Sequence, residues 1–478
     1  MLAPRDTAGL TPASASFRDP AGTLLRSAGR ILRAVKPDSV TELQAFLATR
    51  AAREAVDARK LVGSVRLGSQ ELPGFAMASE TLFEHERIPF ASYPHEWPSE
   101  MLAAAGMLTL ELFQSVLEEG FGLKDATPYN VLFRGPRPVF VDVLSFERRE
   151  SRDATWRAYA QFVRTFLLPL AAHRHFGLAP ADTFAGKRDG LEPDALYQWA
   201  GFWKRLRPPL LSLVTFPQWM GRKATPASYH PKPAASPEQA RFVLQHLLHS
   251  CERQLKKLAP RPHPESVWSG YLHHKSLYSA RQLEAKEQFV REAMELARPR
   301  RVLDVGANEG RFSLLAAQCG ASVVAIDSDA AVVGTTWRRA YHQDLDVLPL
   351  VVDLTRPTPP IGWRNQECDS FLDRARGHFD LVLMLAVLHH MLVTERVPLE
   401  EILKLAAELT QDYLLIEFVA PEDPMFQRIV RGREALHAHL TFERFEAAAA
   451  VYFEVVKSQK IQGLHRCLYL FRLRRAPL

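Results

Sequence analysis

Asp304, Gly306, Asn308 and Gly310 fall in one eight-residue stretch, LDVGANEG, and two further acids, Asp327 and Asp353, close later apolar runs. These types at this spacing suit a loop that holds a nucleoside-like ligand. Glycine lets the backbone turn tightly and approach a ligand where a Cβ would collide. Asp327, 21 positions after Gly306, ends SVVAID and is placed to accept hydrogen bonds from ribose hydroxyls. Asp353 ends LPLVVD and is placed to meet an adenine amino group. Acids at strand ends are also common helix caps, so the combination carries the reading rather than any one of them.

Two cofactors compete for such a loop. The dinucleotide fingerprint is GxGxxG with an acid about 20 residues on, and its pyrophosphate sits on a helix N-terminus. Here the order is Gly306-x-Asn308-x-Gly310, with Asp304 ahead of the first glycine. An acid at the strand tip suits an ammonium group, which S-adenosyl-L-methionine (SAM) carries and a pyrophosphate lacks.

Further candidates follow. LAVLHHM places His389 and His390 after another apolar run, where a neutral imidazole takes a proton from a hydroxyl or amine. The alternative for each is packing. Glu417, inside LLIEFV, is a candidate to orient a histidine or hold the acceptor. Trp363, Asn365 and Arg374 lie in a long connection and are candidates for an acceptor wall, or else a surface insertion. Tyr271, Tyr278 and Lys286 are candidates for a cover over the cofactor, and His273 and His274 lack metal-ligand spacing.

The elements that must position these residues alternate. Helical spacing at 282–297, 310–319, 330–339 and 398–410 separates the apolar runs RVLDV, SVVAID, LPLVVD, FDLVLML and YLLIEFV. FEVVKSQKI and RCLYLFRL then suggest a terminal hairpin. This predicts an α/β Rossmann-like domain, a mostly parallel sheet with a C-terminal antiparallel hairpin. "LDVGANEGRFS" with "VVAIDSD" resembles the class I SAM-dependent methyltransferases over roughly 265–478. The resemblance implies SAM as cofactor, bound by Asp304, Gly306, Asn308, Gly310, Asp327 and Asp353, with Asn308 standing where the usual motif has its middle glycine.

The first half poses a second problem. FGLKDATPYNVLFRGPRPVFVDVLSF gives Asp125 and Asn130 the D-x-x-x-x-N spacing of a phosphotransfer loop, followed by a hairpin and Asp142. It resembles the catalytic loops of protein kinases and of aminoglycoside and choline phosphotransferases. That resemblance implies an α+β kinase-like domain in which Asp125 faces a hydroxyl and Asn130 and Asp142 hold Mg-ATP. Leu123-Lys124 and Leu144 depart from the pattern, a covering glycine loop and a V-A-I-K lysine are missing, and Lys36 is followed by proline. A pseudokinase-like half that binds Mg-nucleotide weakly or not at all is therefore expected. Nearly the whole chain resembles a bacterial group of fused proteins with "SYPHEW…LKDATPYN…VFVDVLSFE" ahead of a methyltransferase half, some of them nodulation-type or glycan-modifying.

A chain of 478 residues is too long for one core, and 47% hydrophobic with 24% charged residues is ordinary globular composition. The net charge of +6 is mild and interleaved with acids, so the methyl acceptor is expected to be a small molecule or glycan rather than nucleic acid. The four cysteines form no CxxC and read as reduced thiols. No apolar run reaches the roughly 20 residues of a membrane span, and a cytoplasmic location is expected. The expected organisation is a disordered tail at 1–16, a kinase-like domain at 17–235, a linker and helix at 236–264, and the methyltransferase domain at 265–478. The expected activity is methyl transfer to an O or N nucleophile; the alternative is a non-catalytic SAM- or nucleotide-sensing scaffold.

Overall fold

The computed structural model describes residues 11–12, 18–27, 29–68, 81–221, 233–260 and 278–474. The chain divides into two units, one of residues 1–260 with 360–368, the other of residues 261–359 with 369–478.

The first unit begins with β1 (Thr11–Pro12), β2 (Gly22–Ser27) and β3 (Arg30–Val35), then α1 (Pro37–Leu47) and α2 (Arg50–Asp57), then β4 (Ser64–Arg66) and β5 (Thr81–His85). These strands form an antiparallel sheet in the order β1-β2-β3-β5-β4. α1 and α2 are separate helices because Thr49 leaves helical geometry to cap α2 through its side chain. The core helix is α3 (Ser99–Leu117). It is long and apolar enough to cross a bilayer by composition, yet most of it is buried among its neighbours. Three short pieces follow: β6 (Phe121–Leu123), the hairpin β7 (Val131–Arg134) and β8 (Arg137–Phe140), and β9 (Phe146–Arg148), which pairs with β6. The remainder is helical, α4 (Tyr159–Phe162), α5 (Leu168–Phe176), α6 (Pro180–Gly186), α7 (Pro193–Trp199), α8 (Phe202–Arg205), α9 (Phe216–Gly221) and α10 (Pro237–Leu258).

Two boundaries differ from expectation. Helix α10 packs on α3, burying Leu244, Leu248, Cys251 and Leu255 at heptad-like spacing, so it is core rather than linker. Residues 360–368 group with the first unit, where Glu367 is buried against Arg18 (2.6 Å) and Arg188 (3.1 Å). The tail expected at 1–16 is corrected in part, since Thr11–Pro12 pairs with β2 as a short strand; its other residues, with Tyr271, His273 and His274, lie outside the described residues.

The second unit opens on α11 (Ala280–Ala297), whose Ser279 and Gln282 form a capping box. Then come β10 (Arg301–Val305), α12 (Arg311–Gln318), β11 (Ser322–Asp327), α13 (Ala330–Gln343), β12 (Val347–Val351), α14 (Phe371–Ala375), β13 (Phe379–Met384), α15 (Leu388–Val393), α16 (Leu399–Leu409), β14 (Thr410–Val419), α17 (Pro424–Val430), α18 (Phe442–Ala449), β15 (Phe453–Lys460) and β16 (Arg466–Leu473). The sheet order is β12-β11-β10-β13-β14-β16-β15, with the first five strands parallel and β16 antiparallel to both its neighbours, β14 and β15. Continuous runs such as VVAI and LVLM suit strands covered on both faces. The chain leaves β10 toward β11 and later returns to its other side as β13, which puts the topological switch beside the Gly306 loop.

Candidate active site

A cavity of about 250 Å³ opens at the carboxyl ends of these strands. Gly306, Asn308, Asp327 and Asp353 line it, with Tyr278, Lys286 and His390. The loop backbone explains its residue types. Gly306, Asn308 and Gly310 have φ of +68°, +51° and +77°. Asparagine is among the few side chains that tolerate the left-handed region, which accounts for Asn308 in place of glycine. A Cβ on Gly310 would lie 2.4 Å from the Thr336 methyl, so that glycine seats α12 against α13 rather than touching a ligand.

Asp327 has a double task. Its Oδ2 accepts the Asn308 N–H (2.9 Å) and its Oδ1 the Asp329 N–H (3.0 Å), so it holds the loop as well as facing the cavity. Asp353 Oδ1 accepts the Thr355 N–H (2.9 Å) and hydroxyl (2.6 Å). Asp304 does not line the cavity. It is buried behind the loop, accepts the Ser313 hydroxyl at 2.6 Å, and burial pushes its carboxyl up to about 7. The expectation that it meets an ammonium directly is corrected: a β10 side chain pointing at α12 anchors that helix. The cavity residues fit SAM, with two carboxylates at successive strand ends and a glycine where a side chain would press on Val387 (3.0 Å).

The two histidines separate. Of the two, His390 lines the cavity, and burial lowers its imidazole below the usual histidine value. His389 is 1% exposed, and neither ring nitrogen has a hydrogen-bond partner among the described residues. Burial, then the neighbouring His390, Arg466 and Lys286 charges, holds it far down and neutral. A side chain sealed from the cavity takes no proton from an acceptor, so His389 is packing.

Glu417 is corrected as well. It is fully buried, its Oε2 accepts Lys286 Nζ at 2.6 Å, and its Oε1 accepts the Tyr278 hydroxyl. Burial raises its carboxyl, but Lys286 and Arg466 outweigh that and hold it below the usual range. Arg466 Nη1 donates to the Tyr278 oxygen (2.5 Å), and its other nitrogens grip Asp423 at 2.8 Å twice. Glu417 therefore neither binds an acceptor nor touches a histidine; it fixes Tyr278 and Lys286 on the cavity wall. Arg466 and Asp423 were not foreseen, and an arginine opening an apolar strand was the available signal. Trp363, Asn365 and Arg374 do not line the cavity: the first two group with the other unit, and Trp363 is 62% exposed.

In the first unit Asp125, Asn130 and Asp142 do converge. Asn130 Nδ2 donates to the Ser145 hydroxyl (3.0 Å), which donates to Asp142 Oδ2 (2.5 Å). Burial, then Asp142, raises the Asp125 carboxyl. The unforeseen member is Arg33 of β3, buried, whose Nη1 lies 2.8 Å from Asp142 Oδ1 and 3.0 Å from Asp19 Oδ2. Both Asp142 oxygens are thus engaged by side chains, one of them a cation, and a divalent ion does not fit this arrangement. The cation that meets Asp142 is thus an arginine three positions before Lys36.

Fold and loop define the class: residues 271–467 match the family model described as a methyltransferase domain. Over 462 residues, 95% of both chains, the protein is 30% identical to the nodulation protein NoeA of Rhizobium meliloti (strain 1021). The chain belongs to the NoeA family. Among solved structures it is similar to the N-methyltransferase NodS from Bradyrhizobium japonicum WM9 in complex with S-adenosyl-l-homocysteine (SAH), at 14% identity and TM-score 0.31 over 41% of this chain and 88% of that one. It is also similar to the bifunctional kinase-methyltransferase WbdD, at 20% identity and TM-score 0.30 over 46% of this chain and 44% of that one. All four cysteines are free, and all but Cys319 are buried.

Proposed function

We propose that the second unit moves a methyl group from SAM to an oxygen or nitrogen nucleophile of a small molecule or glycan, with His390 receiving the acceptor's proton. Bound SAM supplies an electrophilic methyl on a sulfonium. This chain's residues do the rest. Asp327 holds the ribose and the loop, Asp353 the adenine edge, and Tyr278 with Lys286 the wall. The single observation that carries the reading is that His390 shares one cavity with Gly306, Asn308 and Asp327. As methyl transfer proceeds, the acceptor's proton would pass to the His390 imidazole, which burial keeps neutral. The test is untargeted mass spectrometry of cell extract incubated with methyl-labelled SAM and the protein. A labelled product formed by wild type and lost with His390→Gln supports it; SAM binding without any labelled product favours the non-catalytic scaffold.

For the first unit we infer a kinase-like module without Mg-dependent phosphotransfer. The antiparallel sheet carrying α1 and α2 between its third and fourth strands, and the meeting of Asp125, Asn130 and Asp142, support the likeness. The Arg33–Asp142 pair supports the lack of metal chemistry.

A further inference from the structure

Between Asp194 and Glu238 the chain holds no acidic residue, yet it holds six Lys and Arg and three tryptophans. The described part of this stretch is the end of α7, α8, residues 211–215 and α9. Their inner sides are fixed: Leu196, Leu210, Leu213 and Val214 are buried, and α7, α8 and α9 all pack on the 211–215 turn. Their outer sides are not. Trp203 is 74% exposed, Met220 72% and Phe202 64%, and Trp199, Phe216 and Trp219 are each nearly half exposed. Single exposed apolar residues are ordinary on a protein surface; six large ones on adjoining elements are a patch, and such patches mark interaction surfaces. Cations are interleaved with them. Lys204 and Arg207 are exposed, and Arg205 stacks on Tyr197 at 3.9 Å.

We propose that this aromatic and basic surface of α7, α8 and α9 docks on an anionic lipid bilayer. Tryptophan prefers the headgroup boundary, where its ring is apolar and its N–H is wet. Phenylalanine and methionine enter the acyl edge while lysine and arginine meet lipid phosphates, which is the pattern of an interfacial anchor. Charge complementarity decides against a protein partner. The described cations Lys204, Arg205 and Arg207 outnumber the one acid of these helices, Asp194; a protein partner would have to match them with acids amid a broad apolar face, whereas an anionic bilayer supplies both at once. The surface shares no residue with the cavity, so its variants leave the SAM-binding residues unchanged, and docking brings the enzyme to membrane-borne or membrane-adjacent acceptors.

The test uses the full chain with vesicles of phosphatidylcholine alone and of phosphatidylcholine with phosphatidylglycerol. Flotation and the tryptophan emission shift are read together. Wild type is expected to float with the phosphatidylglycerol vesicles, with a blue shift, and to be released by high salt. The Trp203→Ser, Met220→Ser double variant should lose flotation, and Lys204→Gln with Arg207→Gln should weaken it roughly 10- to 30-fold, at about fivefold per cation. SAH-induced thermal stabilisation in both variants, equal to wild type, verifies that they are folded. No flotation of wild type, or flotation unchanged in the double variant, overturns the proposal. So does self-association of wild type that the double variant abolishes without any lipid binding, since the patch is then an interface between copies.

Discussion

Lys286 Nζ and Glu417 Oε2 meet at 2.6 Å, and neither side chain is more than 2% exposed. The pair ties α11 to β14 and holds the wall of the cavity from behind. Removing one partner of a buried pair strands a charge and costs about 3–5 kcal/mol, while replacing both by apolar residues is often near neutral. Glu417→Leu alone should therefore destabilise the second unit by about that amount, and Glu417→Leu with Lys286→Met should recover most of it. Hydrogen exchange resolved along the chain is the measurement. Equal loss in the single and double variants would mean that shape, not charge, holds this wall.

Asp327→Ala removes the proposed ribose acceptors and also the Asn308 N–H contact that holds the loop and the Asp329 N–H contact of its own turn. At about 1.5–3 kcal/mol for each hydrogen bond to a charged group, SAH affinity should fall at least 100-fold. Asp353→Ala, which leaves the Asn308 contact intact, should cost less. Calorimetric titration with SAH gives both numbers; unchanged affinity in Asp327→Ala removes the residue from the site.

His390→Gln should lower turnover by about 100-fold or more at little cost in SAH affinity, whereas His389→Gln should change stability and leave turnover within a few-fold. Because burial lowers the His390 imidazole, the rate should stay flat through neutral pH and fall only below the unperturbed histidine value of about 6.5. A rate that already falls above neutral pH would assign proton transfer elsewhere.

His85 of the first unit has its imidazole lowered to about 3 by burial, with Arg33 nearby adding to the shift. The unfolded chain takes up this proton near pH 6.5 and the folded one does not, so its contribution is present above about 6.5 and lost as pH falls toward 3. The slope is about 1.4 kcal/mol per pH unit for one such group. In the second unit Asp304, raised to about 7, works in the opposite sense, its contribution fading as pH rises through 7. Exchange-derived stabilities between pH 5 and 7 should therefore show the first unit weakening on acidification, and His85→Gln should flatten that slope.

Mg-ATP should not raise the melting temperature of the full chain, because Arg33 and Ser145 occupy the Asp142 carboxylate. A thermal shift that needs both Mg²⁺ and Asp142, with nucleotide turnover, would show that Arg33 yields to a metal and that this half is a working kinase.

Much of the second unit was legible in the chain. Runs such as RVLDV and SVVAID are apolar throughout because both faces of a parallel strand are covered, and the helices between them keep a 3.6-residue period. The loop was legible because left-handed backbone admits few side chains, and Gly306, Asn308 and Gly310 declare it. Periodicity says which face of an element is buried, but not what lies across from it. That Asp304 turns to Ser313, that His389 is sealed while its neighbour opens on the cavity, and that Glu417 answers to Lys286, Tyr278 and Arg466 are facts of packing between elements over 100 residues apart in some cases. Arg33 shows the same limit. Its type is plain in the sequence, but only the closing of β3 on the Asp142 loop decided that a guanidinium holds the carboxylate, because Coulomb pairing at 2.8 Å depends on where the fold sets two charges and not on their distance along the chain.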